Sequence, residues 1–246
     1  VLVIGAGGLG CPVLSYLTAA GVGTIGIVDP DKVEKTNLQR QVLYSQLDLG
    51  QYKVDVAKRK LEELNPFVSF HVYRELFSTI NAMDLASKYD IIVDGTDNFP
   101  TRYLINDCAV LSGKPVVFGS IFKFDGQVSV FNYNNGPTYR CLYPDPPNNN
   151  EVPNCSEIGV VGVLPGIIGS LQANEVIKMI CGIGEVLAGK LLLFDSLTLE
   201  QKTLNFEINK DLNISSLDFD YEFFCDNTDI EQRYLDENLL SQNNFE

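Results

Sequence analysis

A glycine-rich motif near the start of the chain is the first segment whose residue types suggest chemistry. The motif Gly-Ala-Gly-Gly-Leu-Gly occupies residues 5–10, after an apolar run at residues 1–4 and before Leu14 and Leu17 at helical spacing. Such a turn favours phosphate binding, because glycine permits close backbone approach and a helix N-terminus offers free N–H groups. The residues expected to bind a nucleotide here are Gly5, Gly7, Gly8 and Gly10.

An acidic residue follows the next apolar run, where a ribose-binding carboxylate would stand. Residues 24–28 are typical of a second buried strand, and Asp29 comes directly after them. In dinucleotide-binding βαβ units, an acid at this place accepts hydrogen bonds from the ribose hydroxyls. The glycines and Asp29 alone fit any nucleotide-binding Rossmann fold, including that of an NAD(P)-dependent oxidoreductase.

A set of polar side chains follows the second and fourth predicted strands. Because the carboxyl ends of parallel strands meet at one crevice, these side chains should converge there. Cations, an acid able to hold a metal and a glycine-rich turn suit triphosphate chemistry, whereas a hydride-transfer site needs no such cluster. The alternative is that the charges belong to an ordinary solvated surface. The residues of this set are Asn37, Arg40, Gln41, Lys53, Asp97, Asn98 and Arg102.

The apolar pattern predicts an α/β fold that would position these residues. We expect a Rossmann-like, mostly parallel sheet with helices on both faces, plus an antiparallel extension after the nucleotide-binding half. Predicted parallel strands are residues 1–4, 24–28, 67–73, 90–93 and 115–118, and predicted antiparallel strands are 126–133, 191–194 and 203–208. Helices are predicted after the glycine motif, at 50–64, at 101–112 and in a long apolar stretch ending near Gly182. Residues 134–154 lack periodicity and are predicted to form a loop.

The composition argues against several functional classes. The net charge is −14, and residues 211–246 contain ten acids against one base. No basic stripe suits a nucleic acid, and no apolar stretch is long and uncharged enough to span a membrane. The single histidine, His71, lies in an alternating strand-like stretch, which argues against His-based catalysis. Six isolated cysteines, without a C-x-x-C pair or a signal peptide, favour a cytoplasmic location.

Several motifs together resemble the ubiquitin-activating-enzyme-like adenylyltransferases of the MoeB/ThiF/HesA superfamily. They are the glycine motif, Asn-Leu-Gln-Arg-Gln at 37–41, Gly-Gln-Tyr-Lys at 50–53 and Asp-Gly-Thr-Asp-Asn at 94–98. The resemblance continues through Gly-Gln-Val-Ser-Val-Phe at 126–131, Tyr-Arg-Cys-Leu at 139–142 and Gly-Ser-Leu-Gln-Ala at 169–173. We therefore expect an adenylyltransferase domain over residues 1–210 and an acidic C-terminal tail or linker over 211–246.

The resemblance implies a reaction and a partner. The reaction is ATP-dependent adenylylation of the C-terminal glycine carboxylate of a ubiquitin-like sulfur-carrier protein, of the MoaD or ThiS type, in molybdopterin or thiamine biosynthesis. Such a carrier ends in Gly-Gly, and the enzyme is expected to be a homodimer. The rival functions are an NAD(P)-dependent oxidoreductase and a non-catalytic scaffold that keeps the carrier-binding groove.

The resemblance also implies a role for each candidate residue. Asp29 would bind the ribose hydroxyls, and Gly8 would lie against the nucleotide. Asn37, Arg40 and Lys53 would contact the phosphates, and Asp97 would hold Mg²⁺. Catalysis would rest mainly on substrate positioning and on electrostatic stabilisation of the transition state, so no covalent enzyme intermediate is needed at this step.

Cysteine positions separate this chain from some relatives. Cys155 occupies the place where some relatives carry a cysteine that handles the acyl group or a persulfide, so it is a candidate nucleophile; the alternative is a bystander thiol. Many relatives bind structural zinc through two C-x-x-C pairs. Here Thr138 takes the place of one ligand, Cys141 stands alone and no second pair follows, so we expect no zinc site. We also expect an Arg-bearing N-terminal segment and a C-terminal sulfur-transfer domain, known in relatives, to lie outside this sequence.

Overall fold

One continuous sheet of eight strands forms the centre of the fold. The computed structural model describes residues 1–146, 159–218 and 221. The strands are β1 (Leu2–Ile4), β2 (Thr24–Val28), β3 (Ser69–Tyr73), β4 (Ile92–Asp94), β5 (Val116–Phe122), β6 (Asp125–Phe131), β7 (Lys190–Asp195) and β8 (Gln201–Asn205). The helices are α1 (Gly10–Ala19), α2 (Lys53–Leu64), α3 (Ala82–Ser87), α4 (Phe99–Ser112), α5 (Tyr139–Leu142) and α6 (Leu164–Cys181).

The strand order is β3-β2-β1-β4-β5-β6-β7-β8. The pairs among the first five of these strands are parallel, and the three pairs from β5 to β8 are antiparallel. This confirms the predicted fold class. The chain crosses from β1 to β2 on one side and reaches β4 on the other, so β1 and β4 flank the switch point where open α/β sheets bind ligands.

Helices cover both faces of the parallel half because its strands are apolar on both faces. Val3 packs into a core with α1 and α2, whereas Leu2 and Ile4 pack with α3 and α4. This alternation follows from the period of two in a strand. The long helix α6 joins the core on the α1 side and contacts α1 extensively. The carboxyl ends of β1, β2 and β4 are thereby fixed at one edge.

Some boundaries differ from the prediction for local reasons. Strand β3 begins at Ser69, because the Asn65 side chain accepts a hydrogen bond from the Phe67 N–H and forms a turn. Helix α2 begins at Lys53, after Gly50 with its positive φ of 79°. Strand β5 runs on to Phe122, since it turns directly into β6 as a hairpin.

Two short helices were not predicted. Helix α3 has six residues and α5 has four, too few for a visible apolar period. Helix α5 lies inside the predicted loop, where the Tyr139 ring packs against Tyr103, Phe118 and Phe131. Tertiary packing therefore stabilises these helices, as expected for segments shorter than an independently stable helix.

Two described residues of the predicted tail, Leu217 and Tyr221, pack against the domain. Tyr221 is buried in the core that contains α4, and its hydroxyl donates a 2.7 Å hydrogen bond to Asp107 Oδ2. Most of the acidic tail lies outside the described residues. The division of the chain at residue 211 remains a prediction.

Candidate active site

The loops after β1 and β4 meet at the switch point through two glycines. Gly5 has a φ of +93°, and a Cβ there would lie 2.6 Å from the Gly95 carbonyl oxygen. The Gly5 N–H donates to Val28 O at 2.8 Å, and the Gly95 N–H donates to Ile4 O at 2.8 Å. These contacts align the ends of β1, β2 and β4, so the glycine-rich turn opens into the predicted crevice.

The polar segment after β2 lies over the glycine-rich turn. An added Cβ at Gly8 would be 3.6 Å from Arg40 Cγ, and one at Gly7 would be 3.6 Å from Gln41 Nε2. The first turn of α6 reaches the same place, since Pro165 Cβ would lie 3.1 Å from the added Gly8 Cβ. Arg40, Gln41 and the turn are thus brought together as the sequence predicts. Gly10 approaches the Gly5 carbonyl so closely that any side chain would clash.

Asp29 is held rigidly at the end of β2. Its carboxylate accepts hydrogen bonds from the Ala6 N–H to Oδ2 and the Asp31 N–H to Oδ1, both at 2.8 Å. Burial raises the pKa of Asp29, and Lys53 and the two backbone hydrogen bonds oppose that shift. A carboxylate accepts about four hydrogen bonds, so lone pairs remain for two ribose hydroxyls.

The side chain of Lys53 lies beside Asp29 at the start of α2. It is only 5% exposed, and its Nζ is 2.7 Å from Asp31 Oδ2 and 3.9 Å from Asp29 Oδ1. The structure therefore places this cation next to Asp29, the acid predicted to bind the ribose. Asn37 and Arg40 remain partly exposed, with weak contacts of 3.3 Å to Thr36 Oγ1 and 3.4 Å to Thr36 O.

The residues after β4 divide into exposed and buried groups. Asp97 is exposed, and Asn98 caps α4 by accepting a 2.9 Å hydrogen bond from the Thr101 N–H. Asp94 is buried and accepts hydrogen bonds from the N–H and hydroxyl of Thr96. Burial raises the pKa of Asp94, against the opposing effects of Arg102 and Thr96. Asp97 is therefore the carboxylate of this loop that can face a ligand.

Arg102 is engaged within the protein. Its side chain is 8% exposed, with Nε 3.4 Å from Asp94 Oδ2 and the guanidinium 5.0 Å from the Phe118 ring centroid. Asp94 is itself buried, so this pair holds the loop after β4 in place. These contacts support a structural role for Arg102 and do not favour its predicted nucleotide contact.

The residues present fit a magnesium–nucleotide complex. Magnesium prefers oxygen ligands and is usually bound through one or two carboxylates together with substrate phosphates and waters. Asp97 is an exposed carboxylate in the loop after β4, whose Gly95 contacts Gly5 of the glycine-rich turn, so it is the candidate for such a ligand. Within residues 1–146 and 159–218, no group of three His, Cys, Asp or Glu residues could hold a metal ion alone. Phosphate oxygens would have to complete the coordination.

Three supporting residues were missed by the sequence analysis. The Tyr44 hydroxyl donates to Ala6 O at 2.8 Å beneath the turn, and Gln172 Nε2 donates to Asp94 O at 2.7 Å from α6. Asp31 contacts Lys53. Tyr44 and Gln172 act over 38 and 78 residues of sequence separation, so the sequence could not show what they contact, although Gln172 lies in the motif at 169–173.

The predicted cysteine features have different outcomes. Cys155 lies outside the described residues, so its position stays untested. Cys141 Sγ accepts weak hydrogen bonds from the Thr138 N–H at 3.3 Å and the Asn209 N–H at 3.4 Å. Burial raises the pKa of Cys11 to about 12, as suits a core thiol.

The helices described include none that is long and apolar enough to cross a membrane.

Solved structures share this fold. Escherichia coli MccB with MccA-N7isoAsn aligns with a TM-score of 0.75 at 24% identity, over 92% of this chain and 66% of that one. Escherichia coli MccB with ATP aligns with a TM-score of 0.74 at 24% identity, over 87% of this chain and 65% of that one. Identity at this level supports the fold alone.

Closer relatives are found by sequence. A sulfur carrier protein adenylyltransferase of Thermus thermophilus is 50% identical over 236 residues, covering 92% of this chain and 87% of the relative. The probable adenylyltransferase/sulfurtransferase MoeZ of Mycobacterium tuberculosis is 49% identical, and the adenylyltransferase and sulfurtransferase MOCS3 of Drosophila yakuba is 44% identical, each over 92% of this chain. The chain spans 58% and 51% of the length of those two larger relatives. The ThiF family matches residues 1–214, and this chain therefore belongs to that family.

Proposed function

We propose that this protein is an ATP-dependent adenylyltransferase that activates the C-terminal glycine carboxylate of a ubiquitin-like sulfur-carrier protein. The observation that carries the proposal is that Arg40 lies against the glycine-rich turn and Lys53 lies beside Asp29, at the edge where Gly95, two residues before Asp97, contacts Gly5. The names of the Thermus, Mycobacterium and Drosophila relatives support the reaction class. The choice of nucleotide follows from that reaction class, since adenylylation of a carboxylate uses ATP as the adenylyl donor.

The chemistry requires two anions to approach each other. A carboxylate oxygen of the carrier attacks the α-phosphorus of ATP, the bond to the bridging oxygen of the β-phosphate breaks, and pyrophosphate leaves. Lys53 and Arg40 would offset the charge of the phosphates, and Asp29 would fix the ribose. Mg²⁺, held by Asp97 and phosphate oxygens, would neutralise charge on the leaving pyrophosphate. Most of the rate enhancement would come from positioning and electrostatic stabilisation.

The quaternary structure and partners form part of the same proposal. The carrier would insert its C-terminal Gly-Gly end, as the resemblance to enzymes that activate sulfur-carrier proteins implies. The enzyme would act as a homodimer in the cytoplasm. Neither rival function explains the charge cluster, since an oxidoreductase needs no such cations and a scaffold need not retain them.

Nucleotide preference is the first test of this proposal. The protein should bind ATP with Mg²⁺ in preference to NAD, because Arg40 and Lys53 would present cations to a triphosphate. Isothermal titration calorimetry checks this directly, with thermal unfolding as support, since a ligand that binds the folded state alone raises the melting temperature. Tight NAD binding without ATP binding would refute the adenylyltransferase assignment.

Metal content is a second test. Purified protein should contain no stoichiometric zinc, because Thr138 stands in place of one thiolate ligand and Cys141 Sγ lies against two backbone N–H groups. Elemental analysis should be made before and after incubation with zinc and dialysis against a weak chelator. Zinc that remains in stoichiometric amount after dialysis would show that the site exists with other ligands.

A further inference from the structure

Asp31 makes the shortest polar contact of the buried Lys53 ammonium, yet the proposed mechanism gives it no role. Asp31 Oδ2 lies 2.7 Å from Lys53 Nζ, whereas Asp29 Oδ1 lies 3.9 Å away. Both oxygens of Asp29 already accept backbone hydrogen bonds. Asp31 is therefore the principal counter-ion of Lys53.

The two partners differ in their freedom to move. The Asp31 N–H donates to Asp29 Oδ1 at 2.8 Å, and the Asp31 carbonyl accepts from the Lys53 N–H at 2.9 Å, so the backbone is fixed. The Asp31 side chain is 62% exposed, whereas that of Lys53 is 5% exposed. The carboxylate can turn into water at little cost, while the ammonium stays in the crevice.

The opposite charges of Lys53 and Asp31 affect both the stability of the protein and its binding of a nucleotide. A buried ammonium without a close anionic partner is costly. In the nucleotide-free protein, Lys53 therefore needs a nearby carboxylate to remain in the crevice. When a triphosphate arrives, however, the same carboxylate competes with phosphate oxygens for Lys53 and repels them. One acid thus stabilises the nucleotide-free protein and weakens nucleotide binding.

We propose that Asp31 is a positioning residue that holds Lys53 in the empty crevice and releases it when the triphosphate binds. This inference rests on the proposed ATP-binding function. It predicts that one substitution at Asp31 lowers the stability of the nucleotide-free protein and raises its affinity for ATP. Asp31→Asn should lower the melting temperature of the nucleotide-free protein and should tighten ATP binding by about two- to five-fold, as expected for a partly exposed charge pair.

The test measures both effects on the same variants. Differential scanning fluorimetry gives the melting temperature without nucleotide, and calorimetry gives the Kd of ATP with Mg²⁺. Glu34→Gln is the matched control, because Glu34 is an exposed acid three residues away that makes no ion pair among the described residues. It should change neither quantity appreciably.

A double-mutant cycle shows whether Asp31 acts through Lys53. In a Lys53→Gln background, Asp31→Asn should change ATP affinity by much less than in the wild type. A merely structural role would lower stability without tightening ATP binding, and a role as metal ligand would weaken ATP binding; either result would overturn the inference. If wild-type protein binds no ATP, the proposed function itself fails, which is a separate outcome from unchanged affinity in Asp31→Asn.

Discussion

Replacing Asp97 by alanine should abolish ATP–pyrophosphate exchange, whereas replacing Cys155 by alanine should leave exchange largely intact. Exchange reports only the formation and reversal of the acyl-adenylate. Asp97 is the residue that we propose would hold Mg²⁺, which would offset phosphate charge in that step. Losing a preorganised charge at a developing anion costs about 2.7–4 kcal/mol, or roughly two to three orders of magnitude in rate.

The exposed position of Asp97 makes this result interpretable. An exposed side chain can be removed with little effect on folding, so lost exchange would reflect lost chemistry. Glu62→Ala is a suitable control, because it removes an exposed acid at the far end of α2, the helix that begins at the crevice with Lys53. Near wild-type exchange in Asp97→Ala would mean that the metal is held elsewhere.

The cysteine half of the prediction separates two steps. Cys155 would act after adenylation, when the acyl group or sulfur is moved, so its loss should block sulfur transfer alone. The assay needs the carrier protein, since exchange requires the carboxylate that accepts the adenylyl group. If Cys155→Ala stops exchange in a folded protein that still binds ATP, the cysteine belongs to the adenylation site.

Features with local causes could be predicted from the sequence. The strand and helix order follows from apolar runs, and the crevice follows from where Gly5–Gly10, Asp29 and Asp97 stand relative to the strands. The rule that parallel strands end at a common edge is enough to bring these residues together. No side-chain geometry is needed for that step.

Features that depend on distant contacts could not be predicted. Arg102 stands after β4, where a residue that contacts a ligand is expected. In the structure, its side chain packs against Asp94 and Phe118. The sequence shows that Arg102 is near the crevice but not which way it points. Gln172 and Tyr221 likewise make their contacts only after the sheet has assembled.

The buried carboxylate of Asp107 is where a single substitution should destabilise the fold most. Asp107 is 3% exposed and accepts hydrogen bonds from Arg140 Nε at 2.7 Å and Arg140 Nη2 at 2.8 Å, besides that from Tyr221. It thereby joins α4, α5 and the start of the C-terminal tail. Asp107→Ala would leave the Arg140 guanidinium in a largely buried place without its carboxylate.

Asp107→Ala should therefore lower the free energy of unfolding by about 3–5 kcal/mol, the usual cost of breaking a buried pair from one side. Urea denaturation followed by circular dichroism gives this value. Tyr221→Phe, which removes only the hydroxyl, should cost about 1 kcal/mol. The double variant Asp107→Ala/Arg140→Met should recover much of the loss, because no charge is then left buried and unpaired. If Asp107→Ala costs no more than Tyr221→Phe, water must replace the carboxylate, and the three segments are joined by apolar packing rather than by Asp107.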